Sequence, residues 1–154
     1  MSRVTHYSGG CQCGAVRFRI EGPLGRASIC HCRMCQKAFG NFFAPLVFVP
    51  TGALTWLNAE PRRFRSSNHV QRGFCPECGT PLTYEAPDGV ALAIAAFDAP
   101  AEIPPTVQYG LEGRLPYVGA LDTLPGTSTA EDVNALPFLA DVQSFQHPDF
   151  DTES

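Results

Sequence analysis

Seven cysteines stand in this chain of 154 residues, and none stands alone. Cys11 and Cys13 form Cys-x-Cys, Cys30, Cys32 and Cys35 form Cys-x-Cys-x-x-Cys, and Cys75 and Cys78 form Cys-x-x-Cys. Thiolates two or three residues apart can converge on one soft cation at about 2.3 Å, and tetrahedral zinc prefers four such ligands. Two pairs and one triplet are therefore the arithmetic of one closed site and one open site. Cys75-Pro76-Glu77-Cys78-Gly79 has the form of a zinc knuckle, with Pro setting the turn and Gly allowing positive φ beside the second sulfur. Its expected partner is the turn around Cys11 and Cys13, flanked by Gly10 and Gly14. Cys11, Cys13, Cys75 and Cys78 then make a structural four-thiolate zinc site. The competing reading of these pairs is a disulfide or inert buried thiols.

The triplet has three sulfurs and no fourth cysteine. A zinc ion with three protein ligands keeps a position for water or substrate, the mark of catalytic zinc. Three thiolates leave such an ion net negative and a poor acidifier of water, so Cys30, Cys32 and Cys35 suit carbon-sulfur chemistry on a bound thiol better than hydrolysis. Arg33, Lys37 and Arg72 lie in or beside the metal segments and are candidates to offset thiolate charge or to grip substrate carboxylates, Arg33 and Lys37 first. Two alternatives stay open: a second structural zinc completed by His31, His6 or His69, and a redox thiol cluster. His31 sits between two ligands, so its ring is expected to point away from the sulfurs. His69 and His147 read as ordinary surface or core histidines.

The elements that must position these groups read as mostly β. Residues 15–20 alternate, with Val16, Phe18 and Ile20 inward and Arg17 and Arg19 outward. Further strands are expected at 42–49, with Pro45 demoting its start or placing it at a sheet edge, and at 54–57, 70–74, 82–85 and 90–97. Pro87-Asp88-Gly89 is the hairpin turn between the last two. One short helix is expected at 33–39, ended by Gly40. A Pro-rich wrap covers 99–148, with a loop at 119–135 and apolar anchors at Leu136-Pro137-Phe138-Leu139 and Phe145; 149–154 reads as a frayed acidic tail. The expectation is one domain, 1–154, whose metal-binding core is about 6–98.

Composition narrows the function. The formal charge is −4 and no basic run exceeds Arg62-Arg63, which argues against nucleic acid as a partner. The longest apolar stretch, residues 90–97, is far below the ~18 residues a bilayer needs, and no signal-peptide core precedes His6. A cytoplasmic protein acting on a small thiol, with reduced cysteines and no membrane partner, is the expectation; oligomeric state is not readable.

The order Gly-x-Cys-x-Cys-Gly (9–14), Cys-His-Cys-x-x-Cys (30–35) and Phe-Cys-x-x-Cys-Gly-Thr (74–80) resembles the glutathione-dependent formaldehyde-activating enzyme family, which includes the centromere protein V group. The resemblance spans about residues 6–98. It implies structural zinc at Cys11, Cys13, Cys75 and Cys78, and catalytic zinc at Cys30, Cys32 and Cys35. It also implies a zinc-stabilised β-sandwich like that of the small zinc-binding (Mss-type) guanine-nucleotide-exchange factors. The implied activity is that of a carbon-sulfur lyase joining glutathione and formaldehyde into S-hydroxymethylglutathione. The chain departs from the family pattern between Phe97 and Pro137, where a His/Trp-containing segment is replaced by Val107-Gln108-Tyr109-Gly110-Leu111. A non-catalytic zinc-stabilised binding module and a zinc-labile redox protein are the competing functions.

Overall fold

The computed structural model describes residues 6–152; Met1 to Thr5, read above as lacking a signal core, and Glu153 and Ser154 of the expected tail lie outside the described residues. Among those described, ten strands form two sheets. The smaller is β1 (His6–Gly10), β2 (Arg17–Glu21) and β5 (Leu54–Trp56), in the order β1-β2-β5. The larger contains β3 (Ala27–Cys30), β4 (Ala44–Val49), β6 (Arg62–Arg65), β7 (Gln71–Phe74), β8 (Pro81–Ala86), β9 (Gly89–Ala93) and β10 (Val107–Tyr109), in the order β10-β3-β4-β9-β8-β7-β6. All pairings are antiparallel except that of β10 with β3. Val16 just before β2, Phe18 and Ile20 from the small sheet and Val47, Leu82 and Leu92 from the large one share one core, as expected of a mainly β sandwich.

The one helix expected, α1 (Arg33–Phe39), is present and closed by Gly40. Pro45 does not mark an edge: β4 lies between β3 and β9. The β9 ladder begins only at Leu46, so the missing proline N–H falls one residue beyond it. The run at 90–97 ends as a strand at Ala93 and turns through a short 3₁₀ segment, Ile94–Ala96, which brings Phe97 against Gly9.

Arg17 corrects the simple alternation. It is only 4% exposed, because its guanidinium pairs with Asp98 at 2.7 and 2.9 Å and with Asp151 at 2.7 Å. Asp151 also accepts from Arg19, so the stretch expected to fray is fastened at that residue. The His147 N–H donates to the Gln12 carbonyl at 2.7 Å, closing the C-terminal segment over the first cysteine turn. Residues 119–135 are not a plain loop: a 3₁₀ turn, Val118–Thr123, is followed by the one-turn helix α2 (Thr129–Asp132) capped by Ser128. Of the expected anchors Leu136, Phe138 and Phe145 are exposed and only Leu139 is half-buried, and polar contacts make the return instead.

Candidate functional site

The turn between β1 and β2 carries Cys11 and Cys13, and the turn between β7 and β8 carries Cys75 and Cys78. Their four sulfurs lie within 4.8 Å of one another. Cys11 and Cys13 are 3.6 Å apart and Cys13 and Cys75 are 3.8 Å apart. A tetrahedron of sulfurs about 2.3 Å from a zinc ion has edges of about 3.8 Å, so the set fits that ion. The backbone is arranged for thiolates: the Val16 N–H donates to Cys11 Sγ at 3.3 Å and the Glu77 N–H to Cys75 Sγ at 3.4 Å. Gly79, at φ +83, takes the left-handed turn its sequence position predicts. Burial pushes the Cys11 thiol up to about 12. Cys78 opposes its own smaller burial with hydrogen bonds from Thr80 and falls to about 6, so the exposed member carries charge first. The cluster spans the two sheets, one pair of ligands from each.

The triplet is assembled differently. Cys30 ends β3, Cys32 is the N-cap of α1, and Cys35 lies one turn into the helix. The three sulfurs again lie within 4.8 Å, and no His, Asp, Glu or fourth Cys joins them among the described residues. The Cys35 N–H donates to Cys32 Sγ at 3.4 Å. Burial pushes Cys30 up to about 12 and raises Cys35 as well. Cys32 resists burial through the Cys35 N–H, its sulfur neighbours and the charge of Arg72, and lies below the ordinary thiol range. A soft cation that takes all three sulfurs displaces the protons they hold.

A cavity of about 330 Å³ opens on the triplet. Its floor is a row across the large sheet, in which Phe48 on β4 faces Ala91 on β9, Ala91 faces Tyr84 on β8, and Tyr84 faces Arg72 on β7. Arg72, 4% exposed, is the cation the structure brings to the sulfurs: Nη2 donates to Cys35 Sγ at 3.4 Å and Nε to Ser66 Oγ at 2.9 Å, and the guanidinium lies 5.2 Å from the Tyr84 ring centroid. Its Nη1 is buried without a partner. Tyr109, on β10, closes another wall, its hydroxyl accepting from Arg26 at 3.0 Å. Gly110 follows at φ +64, where a Cβ would stand 2.9 Å from the Cys32 nitrogen and 3.4 Å from Cys30 Sγ; only glycine lets this loop lie against the triplet.

Arg33 and Lys37 do not line this cavity. They are exposed on the outer side of α1, beside Phe64 and Arg65, and Arg33 donates to Gln36 Oε1 at 2.7 Å. His31 does not join the sulfurs or line the cavity; it is fully buried, with Nε2 2.8 Å from Gln108 Oε1 and its ring edge-on to Phe43. His6 and His69 are not among the metal-clustered residues, and His147 stacks over Gly14. Sequence reading missed Tyr84 and Tyr109. Tyr84 was detectable in principle as the cross-strand neighbour of Arg72, whereas Tyr109 belongs to a three-residue strand too short to show a period.

The sequence model of the glutathione-dependent formaldehyde-activating enzyme matches residues 6–111, which contain every cysteine and both tyrosines. The chain belongs to that family. An uncharacterized lyase of Schizosaccharomyces pombe is 29% identical over 88 residues, 56% of this chain, and the chain spans 62% of that relative's length. The crystal structure of a Rhodobacter sphaeroides protein aligns with a TM-score of 0.54 at 18% identity, covering 66% of this chain and 98% of that one, which supports the fold alone. No helix among the described residues is long and apolar enough to cross a membrane. Family membership extends the likeness past residue 98, to the loop that carries Tyr109 and Gly110.

Proposed function

We propose that the chain is a zinc-dependent carbon-sulfur lyase that joins a small thiol, glutathione in the family's namesake reaction, to formaldehyde. The observation that carries this reading is the triplet itself: three convergent sulfurs with no fourth ligand among the described residues, bordering a cavity. Cys11, Cys13, Cys75 and Cys78 would hold one zinc ion and Cys30, Cys32 and Cys35 a second. Bound at the triplet, zinc would supply a soft Lewis-acidic position that favours a substrate thiol as its thiolate.

The chain's own groups do the rest. Arg72 sets positive charge against Cys35 Sγ, and the Cys35 N–H orients Cys32 Sγ. Leu46, Phe48, Val70 and Ala91 give the cavity an apolar part against which a substrate would shed water. As the sulfur-carbon bond forms, the carbonyl π pair moves to oxygen and the proton lost by the thiol must end there. The hydroxyls of Tyr84 and Tyr109 are the phenol donors in the cavity for that oxygen, beside the hydroxyls of Ser28, Ser66 and Ser67. Burial, followed by the negative charge of Cys35, holds the Tyr84 hydroxyl above the usual phenol range, so it keeps its proton.

Exchange NMR on glutathione and formaldehyde tests the reading. The zinc-loaded chain is expected to accelerate adduct formation, and Arg72→Gln to lower that rate about 100-fold, the range for loss of one preorganised charge donor. No acceleration by the zinc-loaded wild type would overturn the assignment.

A further inference from the structure

From Pro104 to Thr152 no residue is buried. The segment is nonetheless fastened at both ends. Gln36 Nε2 donates to the Gly113 carbonyl at 2.9 Å, the Tyr117 ring meets Phe42 at 5.2 Å, and the His147 and Asp151 contacts hold the far end. Between these fastenings the chain presents large apolar side chains outward: Leu124 is 65% exposed, Phe138 63%, Val142 58% and Phe145 88%. It also lies almost wholly beyond residue 111, where the family match ends.

The chain exposes more surface than a folded monomer of its mass needs. A folded monomer of 16.6 kDa is expected to expose about 7,600 Å². This chain exposes 10019 Å². The seven residues outside the description, counted as fully extended chain, account for about 1,100 Å² of the difference. About 1,300 Å² of excess remains, more than the ~800 Å² each partner gives to a standard stable interface.

Charge identifies the partner. Residues 112–152 carry seven acidic side chains and one basic one, Arg114, whereas residues 6–111 carry nine basic and seven acidic. Three of those cations, Arg33, Lys37 and Arg65, line a groove between α1 and β6 with Met34 and Phe64, and no carboxylate lines it. None of the three pairs with a carboxylate among the described residues, whose ion pairs use Arg17, Arg19, Arg63 and His6. The arm is acidic and apolar; the groove is basic and apolar.

We propose that the chain forms a twofold dimer in which the arm of each copy, through Leu124 to Phe145, lies in the α1–β6 groove of the other. A reciprocal exchange buries both surfaces at once and closes on itself. Met34 and Ser66 border both the groove and the thiol cavity, so each copy's arm would run beside its partner's cavity mouth.

Sedimentation velocity of the full chain at tens of micromolar tests this, with twice 16.6 kDa expected. Phe138→Ser and Phe145→Ser should each weaken the dimer about 30-fold, the effect of losing a buried aromatic hot spot, and circular dichroism should stay unchanged because both rings are exposed within one chain. Lys37→Glu with Arg65→Glu should weaken it too, and added salt should act in the same direction. A wild-type monomer overturns the proposal, whatever other partner the arm then binds. A dimer indifferent to the arm substitutions overturns the arm's role, and one indifferent to the groove pair overturns the groove as its seat.

Discussion

The two cysteine clusters use the same atom at nearly the same spacing and do opposite things with the chain. Cys13 and Cys75 are 62 residues apart and sit on different sheets, so an ion between them closes a long loop and staples the sandwich. Cys30, Cys32 and Cys35 fall within six residues, at the end of one strand and the start of the helix that follows it. An ion there closes almost no loop. The gain from cross-linking grows with the length of chain constrained, so on the proposed function an ion in the first cluster would stabilise the fold and one in the second would be free to react. Burial does not follow the same division: Cys11 and Cys75 are buried but Cys13 and Cys78 exposed in the four-cysteine set, whereas in the triplet Cys35 is buried and Cys30 and Cys32 are half-buried.

The sharpest way to break this contrast is to remove one sulfur from each side. Cys75→Ser is expected to cost on the order of 10 kcal/mol of metal-linked stability and leave an unfolded chain by circular dichroism. Cys32→Ser should abolish turnover while shifting the melting temperature by only a few degrees. If the two variants are equally destabilised, the division of labour fails. A smaller effect belongs to the four-cysteine half alone. Arg17→Ala strands the half-buried Asp98 carboxylate and should cost about 3 kcal/mol in denaturant unfolding, with little change in the thiol reaction of the folded chain.

The smallest effect is pH-dependent. Burial opposes ionisation of Asp98 and Asp151, but hydrogen bonds from Arg17, with Ser8 for Asp98 and Arg19 for Asp151, hold both below the usual carboxylate range. A depressed folded-state value stabilises the native chain fully above the ordinary value near 4, and the contribution fades as pH falls through the depressed one. Asp151→Asn should therefore lower stability by about 1 kcal/mol or less at pH 7, and the gap to wild type should narrow below about pH 4. A gap that widens on acidification would contradict the sign.

Much of this was legible in the chain itself. Cysteine spacing divided the ligands, alternation located β2, where Phe18 and Ile20 are buried, and the strands expected at 70–74 and 82–85 fell within a residue of β7 and β8. Four strands gave no such signal. β1 is rich in glycine, β3 has small side chains, β6 is a polar edge, and β10 is three residues long. Each owes its pairing to neighbours that sequence periodicity does not register. Arg17 looked like a solvent-facing residue because its partners, Asp98 and Asp151, are 81 and 134 residues away. Arg33 and Lys37 were near the triplet in sequence but on the wrong side of α1 for the cavity, whereas Arg72 reaches it across the sheet from β7. Phe138 and Phe145 were read as anchors on the rule that large apolar side chains go inside, a rule the exposed arm of this chain does not follow.

Zinc release from the purified, reduced chain tests the central claim most directly. With a colorimetric chelator and excess glutathione, two ions per chain should leave in two separate phases: one from the triplet within minutes, one from the four-cysteine site only on unfolding. A single ion per chain, or two that leave with one rate constant, would contradict the account.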